Sequence, residues 1–176
     1  SNRTLVYDAT ARKWHERGYW NTEAADFTEY RPVFHASCFN RNLVLDSDGF
    51  RVYSLSDTTY TDVNDGILRR VRRAPHIASE NKRIIFNSVE LECDRGVGQT
   101  SGQGADPQVG LRASNDGGLS WGVSRMRTVG AIGKYGTRVR WEPCGSARDR
   151  VFELWATDPA PQRWHDLYVD ATVCRH

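Results

Sequence analysis

No stretch of this 176-residue chain approaches the roughly 20 consecutive apolar residues that a membrane-spanning helix needs, so no such helix is encoded. Lysine is scarce. It stands only at 13, 82 and 134, so the 24 basic residues are overwhelmingly arginine. Arginine favours planar pairing with carboxylates and protein interfaces, although a GC-rich genome produces the same bias. The charge excess is small, +2, which gives no general attraction for nucleic acid. Close cysteine pairs are missing: Cys38, Cys93, Cys144 and Cys174 are widely spaced with no C-x-x-C. That spacing argues against zinc and leaves two readings, reduced thiols or two long-range disulfides. His15, His35, His76, His165 and His176 show no metal-ligand spacing, and neither H-E-x-x-H nor G-x-S-x-G occurs. No catalytic, cofactor-binding or metal-binding residue is therefore assigned. The N-terminus has no apolar signal region; Ser1-Asn2 reads as a scar from tag cleavage, and the chain as a fragment of a longer protein.

What is present is β-forming. Six Trp, seven Tyr and six Phe suit pleated, half-buried surfaces, and helical periodicity is rare. Strand-sized pieces separated by turn residues predict strands at 4–7, 13–17, 29–39, 42–45, 50–55 and 67–73. The second half adds 83–93, 108–114, 137–142, 150–156 and 163–171. Within 83–93, Ile85, Val89, Leu91 and Cys93 are placed on one face, with Asn87 interrupting them and Phe86 on the other. The stretch 58–66 reads as a loop, and the glycine-rich stretch 96–106 as the clearest flexible one. It lacks the G-K-[S/T] ending of a phosphate loop. The predicted architecture is all-β: propeller-blade-like hairpins over 1–78, then an antiparallel β-sandwich over 79–176.

Two local motifs carry the functional reading. Ser114-Asn115-Asp116-Gly117-Gly118-Leu119-Ser120-Trp121 fits the Asp-box pattern S-x-D-x-G-x-[S/T]-W. Asp116 is positioned to accept from nearby backbone N–H groups, the glycines permit positive φ, and Trp121 buries its ring beside the turn. Ser114, Asp116, Gly118, Ser120 and Trp121 are thus read as a structural corner rather than an enzyme site. Arg69, Arg70, Arg72 and Arg73 form an exposed basic strand. It suits either an interface paired with Glu80, Glu90 or Glu92, or weak contact with DNA phosphates. Two weaker patterns are set aside. Asp46-Ser47-Asp48-Gly49 resembles the start of a calcium loop but has Phe50 and Thr58 at ligand positions. Tyr30-Arg31-Pro32 is a poor echo of a sialidase arginine motif.

Several ordered stretches together resemble one family. They are 14–18 (WHERG), 71–76 (VRRAPH), 96–109 with its glycine-rich centre, the segment 111–121, 130–139 (GAIGKYGTRV), 147–153 (ARDRVFE) and Thr157-Asp158-Pro159. In this order they are similar to the C-terminal region of the packaged-DNA stabilisation, or tail accessory, proteins of short-tailed bacteriophages. The resemblance implies a virion protein assembled in the host cytoplasm, hence reduced thiols. It implies a part that joins the tail beneath the portal, extends the channel, helps retain packaged DNA and docks other tail and portal proteins. It also implies a homo-oligomeric ring, with no cofactor and no membrane. The competing reading is a carbohydrate-binding or sialidase-like propeller fragment using Trp14, Tyr19 and Trp20 as sugar platforms.

Overall fold

A computed structural model describes residues 3–174. Ser1, Asn2, Arg175 and His176 lie outside the described residues, and with them the expected tag scar and the last histidine. The chain divides into two compact units, 1–68 and 69–176. This boundary falls ahead of the 78/79 division that the sequence suggests. The physical reason is strand pairing: Arg70–Arg73 and Ile77–Ala78 both join the strand Asp149–Ala156, so they belong to the second unit.

In the first unit, β1 (Thr4–Asp8) pairs with β2 (Lys13–Arg17), and β3 (Tyr19–Asn21) with β4 (Asp26–Thr28). Then β5 (Pro32–Cys38), β6 (Arg41–Asp46) and β7 (Val52–Leu55) form a three-stranded meander. These are hairpins of two and three strands; no four-stranded propeller blade forms among the described residues. The 58–66 stretch is a loop holding one 3-10 turn, Val63–Asp65. The unit buries little: Val44 and Asp46 are its only buried residues among those described. Tyr7 and Trp14 stack across the first hairpin, 5.1 Å apart, with Trp14 exposed.

The second unit is a two-sheet antiparallel sandwich. Its strands are β8 (Arg70–Arg73), β9 (Ile77–Ala78), β10 (Ile84–Cys93) and β11 (Gln108–Ser114), followed by β12 (Arg125–Thr128), β13 (Val139–Trp141), β14 (Ser146–Ala147), β15 (Asp149–Ala156) and β16 (Trp164–Val173). One sheet places β10 between β16 and the short pair β13 and β14. The other runs β12–β11–β15, with β8 and β9 on the far side of β15. Between them lie Ile84, Phe86, Val89 and Leu91 from β10 with Trp141 from the adjacent β13, and Leu111, Phe152 and Leu154 from the facing sheet. Phe86 meets Phe152 edge to face at 5.5 Å, an arrangement favoured by the ring quadrupoles. Trp141 buries its ring fully and donates its Nε1–H to the Arg125 carbonyl at 2.8 Å.

Two expectations are corrected here. Ile85 is exposed, at 44%, while Ile84 and Phe86 are core. The register with β16 slips between Phe86 and Ser88, so a bulge at Asn87 reverses which side faces inward. Val89, Leu91 and Cys93 then point to the core as the alternation predicts. The 96–106 stretch is not a free connector. Gly96, Gly98 and Gly104 are buried, the Gln99 N–H donates to the Gly104 carbonyl at 2.7 Å, and the Gly133 N–H donates to the Gly96 carbonyl at 3.2 Å. Its glycines serve close backbone packing, which composition alone reads as mobility.

Candidate functional site

The site is built on the outer face of the β12–β11–β15–β8 sheet. Arg112, Glu153 and Arg73 stand directly opposite one another on three adjacent strands, so their side chains share one face. Glu153 is fully buried and its two oxygens are divided between the neighbours: Arg73 Nε donates to Oε2 and Arg112 Nε to Oε1, both at 2.6 Å. A carboxylate in the middle of an apolar strand is stable there only because it is paired and hydrogen-bonded.

The turn 114–121 folds back over this row. The Ser114 hydroxyl donates to Asp116 Oδ1 at 2.6 Å and accepts the Gly118 N–H at 2.8 Å. Asp116 accepts the N–H of Leu119 at 3.1 Å, that of Ser120 at 2.9 Å, and the Ser120 hydroxyl. Those donors, led by the Ser114 and Ser120 hydroxyls, hold the Asp116 carboxyl well below the usual carboxylate range. Gly117 and Gly118 have φ of 76° and 95°, which L side chains rarely adopt. The half-buried Trp121 ring is thereby laid against both arginines, with the guanidiniums of Arg112 and Arg73 at 4.8 and 5.2 Å from it. Leu119 and Val123 flank it and are exposed at 89% and 90%.

One step along the face, Trp155 lies across Gly110, where a Cβ would come within 2.6 Å of the indole. Trp155 donates its Nε1–H to Ser124 Oγ at 3.0 Å, and the Arg69 guanidinium covers its ring at 4.4 Å. Burial makes Arg69 easier to deprotonate than a free arginine, and the nearby Arg112 adds to this. Arg70 reaches the Asp158 carbonyl at 3.3 Å. Arg72 is exposed and makes no ion pair among the described residues.

Of the predicted basic strand, Arg73 and Arg69 therefore share one surface with the predicted turn, while Arg70 and Arg72 alternate to the other face of the sheet. The acid that joins strand and turn is Glu153, not Glu80, Glu90 or Glu92. Glu80 pairs with Lys82, Glu90 pairs with Arg138, and Glu92 accepts from Tyr168. Glu153 and Trp155 are missing from the sequence-derived site. Their signal was available as a single acid within the apolar run 151–155.

The other flagged groups lie elsewhere. Arg31 grips Asp46 with two hydrogen bonds, 2.9 and 2.6 Å, and covers the Tyr19 ring at 4.9 Å. The Arg31 bond lowers the Asp46 carboxyl below its ordinary value. Asp46 thus closes a turn, with the Asp48 N–H donating to it at 3.1 Å. Trp20 packs edge-on against Phe27, so of Trp14, Tyr19 and Trp20 only Trp14 is exposed. Cys38, Cys93, Cys144 and Cys174 are free thiols. No group of three His, Cys, Asp or Glu is placed to hold a metal among the described residues.

A protein-family model described as bacteriophage P22 Gp10, β-sandwich, matches residues 69–172, which fall within the second unit. No curated protein matches the chain.

Proposed function

Because the chain belongs to the bacteriophage P22 Gp10 β-sandwich family, a tail accessory family of short-tailed phages, we propose that it is a structural virion part acting by protein–protein contact. In this reading it extends the portal channel, helps retain packaged DNA and docks other tail proteins, with no bond-making chemistry of its own. The carrying observation is that the family match covers the unit bearing the Trp121–Arg73–Arg112–Glu153 surface. That surface has what a contact centre needs: an aromatic anchor, arginines already oriented, and exposed apolar side chains at Leu119 and Val123.

The protein works as a closed homo-oligomeric ring in the assembled tail, where different surfaces of neighbouring copies meet. The hairpins of the first unit, with Phe34 and Val52 exposed, supply blade-like pieces completed by neighbouring chain. Weak contact with DNA phosphates falls to Arg72 rather than to the internally engaged Arg73.

The test is a paired substitution on exposed side chains of this surface, Leu119→Ser with Val123→Ser, in the phage that encodes the protein. The isolated variant should melt as the parent does. Purified virions should contain about tenfold less of it, the loss expected when hot-spot contacts are removed. Normal incorporation and infectivity would remove this surface from the assembly.

A further inference from the structure

A cleft of about 240 Å³ opens beside the 114–121 turn, where β12 leaves β11 and the 143–144 link passes opposite. Arg125 and Arg150 stand on its wall, and no carboxylate lies within ion-pair range of either among the described residues. Arg150 is only 5% exposed. It donates from Nε to Asn115 Oδ1 at 2.9 Å and from its two terminal nitrogens to the Cys144 carbonyl and, at 3.2 Å, the Ser146 carbonyl. Its guanidinium lies 4.7 Å from the Phe86 ring and 5.8 Å from Phe152. Arg125 donates to the Pro143 carbonyl at 2.7 Å and to Cys144 Sγ at 3.0 Å.

All these acceptors are neutral. Hydrogen bonds to neutral groups satisfy donors but leave the charge uncompensated, which is unfavourable away from water. The third arginine on the cleft, Arg112, gives no relief, since Glu153 already serves it together with Arg73. No acidic residue lines the cleft.

We propose that this cleft receives one acidic side chain from a partner protein, its carboxylate meeting Arg125 beside the buried charge of Arg150 and its stem lying on Leu111, Val123 and Phe152. The fit is by charge and by size. An arginine has five N–H donors, and the bonds of Arg125 to Pro143 and Cys144 occupy two of them, so a carboxylate finds donors there. The apolar half of the lining suits methylene groups, whereas a nucleic-acid phosphate is held on its sugar chain and cannot enter an inset cleft. Val123, exposed at the rim, makes the cleft continuous with the turn surface around Leu119. The inference rests on the docking reading for the partner's identity alone; carboxylate binding is a property of the chain by itself.

The test uses the whole 176-residue chain and the arginine Nε–H resonances in ¹H–¹⁵N spectra. The probe is glutamate blocked at both ends as N-acetyl and N-methylamide, set against the same glutamine derivative and inorganic phosphate. The blocked glutamate should move the Arg125 and Arg150 signals saturably, the glutamine derivative should not, and phosphate should bind more weakly. Arg125→Gln should weaken binding by about tenfold, the scale of one charge-assisted contact. Arg125 also holds the 143–144 link, so Val123→Asp provides a second variant that leaves the fold alone. Its carboxylate at the cleft mouth should weaken binding similarly. Equal response to the glutamine derivative, tighter phosphate binding, or indifference to both substitutions would overturn the proposal. A cleft that binds the probe in a chain absent from virions would fail the docking reading while leaving the carboxylate site standing.

Discussion

At Glu153 one fully buried carboxylate answers two guanidiniums, and the indole of Trp121 lies against both. Glu153→Gln removes the only negative charge from that row and leaves two cations facing a neutral amide. We expect a loss of about 3 kcal/mol in urea unfolding, the usual consequence of breaking a buried pair from one side. Asp116 behaves differently because it is exposed and its partners are hydroxyls and N–H groups. Its folded-state carboxyl titrates below the unfolded value. The stability it contributes is therefore complete above about pH 4 and is lost as pH falls towards the folded value. Asp116→Asn should flatten the stability–pH profile below about pH 4 and leave its shape unchanged near neutrality. The turn chemistry of 114–121 is readable locally because every donor lies within a few residues of Asp116. The Trp121–arginine contact is not, because Arg73 reaches it only through the β8–β15–β11 register, which no local pattern encodes.

At the scale of elements, long strands with clear alternation are the legible ones. The sequence places β2 and β11 with their observed limits and β10, β15 and β16 within a residue or two. The short polar strands are not legible. Residues 19–28 carry a hairpin, and β12 is a four-residue strand of arginine, methionine and threonine with no alternating pattern. The phase of β10 misleads because a bulge at Asn87 is a property of its partner as much as of itself. The bulge makes a testable statement: deleting Asn87 removes the extra residue, so Ile84, Phe86, Val89 and Leu91 fall into one unbroken alternation and all stay on the core face. The deletion should therefore leave thermal unfolding cooperative, and loss of the cooperative transition would contradict this account of the bulge. The 96–106 stretch gives a second. Because its backbone is packed and hydrogen-bonded, removing 97–105 should lower the melting temperature of the sandwich, where a free connector would tolerate the cut.

At the scale of the whole molecule, the two units differ in how much they can stand alone. Residues 69–176 enclose a continuous core between two sheets, and the family match lies within them. Expressed alone, they should unfold in one cooperative step in differential scanning calorimetry. Residues 1–68 leave Leu5, Trp14, Phe34 and Phe39 exposed and bury almost nothing. Alone they should show no cooperative transition, since small hairpin sheets without a covered face are marginal in water. Composition and spacing point to an all-β chain, and the ordered resemblance points to the tail; the sandwich and the family match bear out both.

The most direct examination of the central claim is photo-crosslinking inside the virion. A photoreactive phenylalanine replaces Leu119, the exposed apolar tip beside Trp121, in the full-length protein carried by infectious phage. Irradiation of purified virions should join the protein covalently to another tail component through that residue. Absence of the protein from virions, or a Leu119 position that captures nothing in assembled tails, would contradict a chain whose work is to dock its neighbours through this face.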